Sequence, residues 1–168
     1  MRLKDCHGFS DFRELARRRL PSPIFNYIDG AADDETTYDR NTKSFEECDL
    51  IPNVLRGVEN IDMSVTIMGQ KLDMPIYCSP TALQRVFHHS GEHAVAAAAD
   101  KFGTMFGVSS LGTVSLTEVR EQYSGPQCYQ FYFHKDRGLN QVMLENAKAA
   151  GVDVMMLTVD TITGGNRE

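Results

Sequence analysis

The 168-residue chain has no apolar stretch near the roughly 18 residues that a membrane-spanning helix needs, and Met1-Arg2-Leu3-Lys4-Asp5 leads into no apolar signal core. A cytoplasmic location is expected, with peripheral contact to the inner membrane left open. Basic runs are equally scarce. The longest is Arg17-Arg18-Arg19 and the net charge is −6, so the chain offers no electrostatic footprint for nucleic acid. Those arginines close a helix-like stretch, where cations favour the negative end of the helix dipole, and that plain reading is preferred to a lipid-binding patch. The four cysteines, Cys6, Cys48, Cys78 and Cys128, stand 30 to 50 residues apart and form no C-x-x-C pair. Neither a structural zinc site nor a disulfide scaffold is indicated, and reduced thiols are expected. No G-x-G-x-x-G turn occurs, which removes the dinucleotide-binding fingerprint. What remains is an ordinary globular composition, 42% hydrophobic and 24% charged, sufficient for a core and too apolar for wholesale disorder.

The first part of the chain reads as helical. Residues 11–19 place Phe12, Leu15 and Ala16 at helical spacing, with Asp11 and Glu14 as a capping box. Pro21 and Pro23 stop that helix and open a second through Ile24 to Ile28; a third, polar helix extends to about Ser44. Ser64 to Met68 and Lys71 to Met74 flank Gly69-Gln70 as a β-hairpin, because glycine tolerates the positive φ such turns need. From Pro75 the pattern becomes β-α-β-α-β-α-β. Strands are predicted at Pro75 to Cys78, Thr104 to Val108, Gln127 to Tyr129 and Val152 to Leu157. The helices between them run from about Glu92 to Lys101, Ser115 to Gln122 and Leu139 to Ala150. The chain thus divides into a leader and hairpin, 1–74, and a β/α part, 75–168. This alternation suits right-handed crossovers and a parallel sheet. Two architectures fit: a small doubly wound sheet, or half of an eight-stranded β/α barrel. Thr161 to Glu168 continues as a loop with no helix to cover the last strand. A free-standing sheet would then expose unpaired backbone and an apolar face. The half barrel is therefore expected, its remainder missing, cleaved off or supplied as a separate polypeptide.

Each predicted strand runs into small polar groups: Ser79-Pro80-Thr81-Ala82, Ser109-Ser110, Gln130-Phe131-Tyr132 and Thr158-Val159-Asp160. Ligands bind at the carboxyl ends of parallel strands, so these tips are expected to face one pocket. The Ser-Pro-Thr-Ala surface would let a flat aromatic cofactor approach the backbone, although such a turn alone is most often only a turn. Gln130 with Tyr132, and Thr158 with Asp160, are i, i+2 pairs that project to one face of a strand. The competing reading is that Tyr132 and Asp160 merely steady loops. His89-Ser90-Gly91-Glu92-His93 fits the H-x-x-E-H pattern of zinc peptidases. Ser90 and Gly91 put the helix start between the histidines, so a loop-to-helix junction is preferred and no metal is expected.

At these residues the chain resembles the FMN-dependent L-2-hydroxy acid dehydrogenase and oxidase family. The resemblance rests on Leu20-Pro21 with Tyr27, Gly30-Ala31-Ala32-Asp33, Met74-Pro75 leading to Ser79-Pro80-Thr81-Ala82, and Ser109-Ser110. It continues through Gln130-x-Tyr132 with Lys135-Asp136-Arg137, and Leu157-Thr158-Val159-Asp160-Thr161 with Asn166-Arg167-Glu168, all in the family's order. It implies an α/β fold, the first half of a (β/α)8 TIM barrel behind a helical leader and β-hairpin. It further implies bound FMN and oxidation of an L-2-hydroxy acid, L-lactate favoured, to the 2-oxo acid. On this resemblance Pro80, Thr81 and Ala82 lie against the flavin ring, and Ser109, Gln130 and Thr158 hydrogen-bond its edge. Tyr27 and Tyr132 correspond to tyrosines near the substrate carboxylate and hydroxyl, Asp160 to the partner of a catalytic histidine, and Arg167 to a substrate-side arginine. The family's catalytic histidine, carboxylate-binding arginine and flavin-activating lysine belong to the second half of the barrel. None of His7, His88, His89, His93 and His134 matches that base, and these residues alone are expected to be inactive. Leu111 stands where glycolate oxidases carry a tryptophan, leaving room for lactate or a longer acid. Within the family the chain is most similar to bacterial enzymes that pass electrons from L-lactate to a cytochrome or quinone. A peroxide-producing oxidase stays open, because Ala82 occurs in both kinds, as does a non-catalytic α/β ligand-binding module. The implied partners are the C-terminal half of the barrel and further copies in a homotetramer.

Overall fold

The leader helices form where apolar spacing places them, with ends set by local hydrogen bonds. The computed structural model describes residues 2–161 and 164–166. Helix α1, Phe9–Arg19, starts two residues earlier than predicted. The reason is that the Asp11 carboxylate reaches back to the N–H groups of His7 (2.8 Å) and Gly8 (3.1 Å) and satisfies donors that a helix start leaves free. Glu14 is no part of a capping box; hydrogen bonds from Arg17 (2.8 Å) and Arg18 (2.6 Å) hold its carboxyl down at about 2. Helix α2, Ser22–Asp29, follows Pro21, and Arg13 clasps Asp29 at 2.5 and 2.8 Å. The two helices bury Leu15 and Phe25, whereas α3, Thr36–Glu46, buries nothing. The chain divides into two compact units, Met1–Val58 with Thr163–Glu168, and Glu59–Ile162.

The second unit opens with the hairpin, β1 (Val65–Ile67) against β2 (Gln70–Leu72). Its turn lies on Met68 and Gly69, at φ 51° and 79°, one residue earlier than predicted, so Gln70 pairs with Ile67. Three parallel strands follow in the order β3 (Phe106–Ser109), β4 (Gln127–Tyr132) and β5 (Val154–Thr158). The strand predicted at Pro75 to Cys78 is reduced to one parallel bridge between Cys78 and Phe106. There the Cys78 N–H donates to the Met105 carbonyl (3.0 Å), and the Cys78 carbonyl accepts from Gly107 (2.8 Å). Pro75 and Pro80 bracket this segment and donate nothing to a ladder, which keeps it short.

Between the strands lie α4 (Gln84–Phe87), a short turn of helix that periodicity did not signal, and α5 (Glu92–Lys101). Helix α6 (Leu116–Gln122) is capped by Ser115, whose hydroxyl accepts from the Glu118 N–H at 3.1 Å. Helix α7 (Arg137–Ala149) starts earlier than predicted because the Asp136 carboxylate caps it, accepting from Leu139 at 3.2 Å.

Register decides what each face of the sheet does. Gly107 pairs with Cys128, Ser109 with Gln130, Cys128 with Val154 and Tyr132 with Thr158. Side chains alternate between faces, so Phe106, Val108, Tyr129 and Phe131 turn outward onto Ala96 and Ala99 of α5, Val119 of α6 and Ala147 of α7. The inner face is apolar at its foot, where Cys128 and Val154 pack with Met105 and with Leu72 of the hairpin. At its rim it carries Ser109, Gln130 and Thr158. All four cysteines are free, and burial pushes the Cys78 and Cys128 thiols up.

Candidate active site

Strand β4 is three residues longer than predicted, so Gln130 sits inside the ladder rather than beyond it. Its buried amide spans all three strands. Gln130 Oε1 accepts from the Ser109 hydroxyl (3.0 Å), while Nε2 donates to Thr158 Oγ1 (2.8 Å). Ser109 Oγ in turn accepts from the Leu111 N–H at 3.1 Å. A primary amide has two N–H donors and a hydroxyl one, so among the described residues this row keeps one Gln130 N–H and the Thr158 O–H uncommitted. Two spare donors on a neutral rim suit an acceptor-rich edge of a planar heterocycle.

Beside that row, Pro80 rests on Gly107. A Cβ at position 107 would lie 2.7 Å from Pro80 Cδ and 2.8 Å from its backbone nitrogen, so only glycine permits the approach. The segment Pro80-Thr81-Ala82 is thereby laid along the inner face. Gln84 Nε2 donates to the Thr81 carbonyl (3.2 Å), and the Leu83 N–H donates to the Leu111 carbonyl (3.1 Å). The second bond ties this segment to the loop after β3, where the Leu111 side chain is half exposed.

The structure therefore joins Ser109, Gln130 and Thr158 by hydrogen bonds and holds Pro80 against the same sheet. Tyr132 is half-buried opposite Thr158, and its hydroxyl has no partner among the described residues. Asp160, exposed and two residues past β5, bonds to none of them. Tyr27 belongs to α2 of the other unit, and Arg167 lies outside the described residues. His89 falls before α5 and His93 inside it, where Nε2 meets Glu118 Oε1 at 3.0 Å. Cavities of about 360 and 210 Å³ lie along α7 and between α6 and α7; the second is lined by Ser109 and Ser110 of the β3 tip, and neither by Gln130 or Thr158. Sequence reading also missed the roles of Gly107 and of Glu92, the latter noticed only as a helix start and as a letter of the zinc-like pattern.

A family model described as FMN-dependent dehydrogenase matches residues 16–168. The chain belongs to this family. It is 37% identical over 158 residues to glycolate oxidase 1 of Oryza sativa subsp. indica, covering 94% of this chain and 43% of the relative. It is 40% identical over 158 residues to L-lactate dehydrogenase of Xanthobacter autotrophicus, covering 94% of this chain and 41% of the relative. Its fold matches the crystal structure of a mandelate oxidase with a TM-score of 0.89 at 31% identity, over 94% of this chain and 47% of that one. The chain thus spans less than half the length of the curated relatives it matches, and its open sheet is the first half of a flavoenzyme β/α barrel. FMN fits the rim in kind. The row offers donors of the kind that ring carbonyls and imine nitrogens accept, and the glycine-floored Pro80 segment carries no charged side chain.

Proposed function

We propose that this FMN-dependent dehydrogenase family chain serves oxidation of an L-2-hydroxy acid, L-lactate foremost, to the 2-oxo acid. The observation that carries the reading is the Ser109–Gln130–Thr158 row with its two spare donors. Gln130 and Thr158 would hold the flavin edge, and Pro80, Thr81 and Ala82 would support its ring. FMN, when bound, takes up the two electrons that the substrate loses. Tyr132, without a partner for its hydroxyl among the described residues, would donate to a substrate oxygen. Asp160 would stabilise the imidazolium that forms when a histidine of the remaining barrel takes the substrate proton. Tyr27 and Arg167 would complete the binding of the substrate carboxylate. Leu111, smaller than the tryptophan of glycolate oxidases, favours lactate over glycolate. A cytochrome or quinone would be the acceptor, in keeping with one relative being a dehydrogenase by name, while the oxidase relatives keep oxygen as the second reading. The C-terminal half of the barrel and a homotetrameric assembly complete the proposal.

The test is the colour of the protein purified from its source. A yellow protein bleached anaerobically by L-lactate supports the reading. Recolouring by a quinone, with little peroxide formed in air, selects the dehydrogenase. Rapid recolouring by oxygen with stoichiometric peroxide selects the oxidase, and a colourless protein that takes up no FMN overturns both.

A further inference from the structure

Glu92 is fully buried at the start of α5, with no cation beside it among the described residues. Every group turned toward its carboxylate is a donor. Oε1 accepts from the Thr113 N–H (2.8 Å) and Oε2 from the Thr113 hydroxyl (2.6 Å), while the N–H groups of Gln84 and of Glu92 itself add to these. The Thr113 hydroxyl oxygen also accepts from the Arg85 N–H at 3.0 Å. One side chain thus ties the head of α5 to α4 on one side and to the loop after β3 on the other. The approach is close enough to need glycine next door: Gly91 sits at φ 50°, and a Cβ there would fall 2.6 Å from Arg85 Cγ. Glutamine would be a poor replacement: on the Oε1 side its NH2 would face the Thr113 N–H, and on the Oε2 side it would oblige the Thr113 hydroxyl to accept where it now donates. Burying a carboxylate against neutral dipoles alone is costly. What the carboxylate supplies is a fixed distance between two loops.

Those loops carry the candidate site. The α4 side begins at Leu83, directly after Pro80-Thr81-Ala82, and the β3 side holds Leu111 two residues before Thr113. We propose that Glu92 is a positioning residue which clamps Thr113 to α4 and so fixes where Leu111 stands relative to the Pro80–Ala82 segment, setting the substrate size the site accepts. This rests on the proposed 2-hydroxy acid oxidation only for its consequence, since the clamp itself is a property of the chain.

Two measurements separate these. Amide hydrogen exchange on the protein reads the clamp without reference to flavin. Glu92→Gln and the near-isosteric Thr113→Val are expected to speed exchange at Leu83, Arg85 and Thr113 at least tenfold over wild type, and Thr113→Ser, which keeps the hydroxyl, to leave them near wild type. Unchanged exchange in the first two variants overturns the proposal, and Thr113→Val carries the test if Glu92→Gln does not fold. In the flavin-loaded protein the ratio of kcat/KM for L-lactate to that for a bulkier 2-hydroxy acid is expected to shift at least fivefold in Thr113→Val and not in Thr113→Ser. Faster exchange with an unchanged ratio overturns the positioning role. Absence of flavin from the wild-type protein overturns the proposed function and with it the substrate consequence, while the exchange result still decides the clamp.

Discussion

Replacing Gly107 by alanine adds a single methyl group where the first β/α loop meets the sheet. That methyl would stand 2.7 Å from Pro80 Cδ, 2.8 Å from Pro80 N and 3.1 Å from Pro80 Cγ. A ring and a backbone atom cannot rotate aside as a flexible side chain would, so the Pro80 segment must lift from β3. Overpacking of this kind costs roughly 1–3 kcal/mol, offset by roughly 0.5–1 kcal/mol because alanine is the better strand residue. The two ranges leave a net loss of roughly 0–2.5 kcal/mol, centred near 1 kcal/mol, or a Tm lower by about 2–4 °C at that centre for a chain of this size. Urea unfolding monitored by circular dichroism measures the first and a thermal melt the second. The double mutant isolates the cause. Pro80→Ala removes the two ring contacts and leaves the backbone one, so Gly107→Ala should cost about 1 kcal/mol less in that background. A Gly107→Ala variant more stable than wild type, or an undiminished cost beside Pro80→Ala, would refute the steric argument. The same variant should retain FMN less well, because the lifted segment is the one proposed to support the ring.

Gln130→Leu strands the Ser109 and Thr158 hydroxyls at the rim. At roughly 1–3 kcal/mol for each buried group left unsatisfied, a loss of about 2 kcal/mol in urea unfolding is expected, together with loss of flavin from the purified protein. Asp136→Ala removes the cap of α7 and should cost about 1 kcal/mol by the same assay. Burial raises the Glu92 carboxyl, but the hydrogen bonds from Thr113, from its own N–H and from Gln84 outweigh it and leave the group below its usual 4.5. A carboxyl held low in the folded state stabilises fully above the unfolded value and loses that contribution as pH falls through the folded one. The stability gap between wild type and Glu92→Gln should therefore be constant above about pH 5 and narrow on acidification below 4.5. A gap that stays level into strong acid contradicts the assignment.

The sequence placed Glu92 to Lys101, the parallel strands and the polar rim because each leaves a local mark: helical spacing, apolar runs of strand length, and turn residues between them. Where local marks compete, boundaries moved. Asp11 was read as opening α1 but acts from inside it, and the hairpin turn slid from Gly69-Gln70 to Met68-Gly69 because both turn positions take positive φ. The Pro75 to Cys78 run has strand composition, yet its ladder is limited by prolines at either end. Ser109, Gln130 and Thr158 were legible as residues of one rim, since strand alternation fixes their face. Their hydrogen bonding to one another was not, because register between strands 20 to 30 residues apart is set by packing. Glu92 left no signal at all: a glutamate opening a helix is the commonest of surface residues, and only the fold shows four donors closing around it.

The hairpin at the foot of the sheet has a consequence for how the protein is made. Leu72 is completely covered, and the cluster that covers it includes Cys128 and Val154. On the ribosome the hairpin emerges about 80 residues before Val154, which at about 5–20 residues per second is roughly 4–16 s earlier. For that interval Leu72, with Val65 and Ile67 beside it, lacks its full native cover, and a two-stranded hairpin of three-residue strands does not hold together by itself. The nascent chain thus offers a short apolar β segment to chaperones throughout the synthesis of the strands that will bury it.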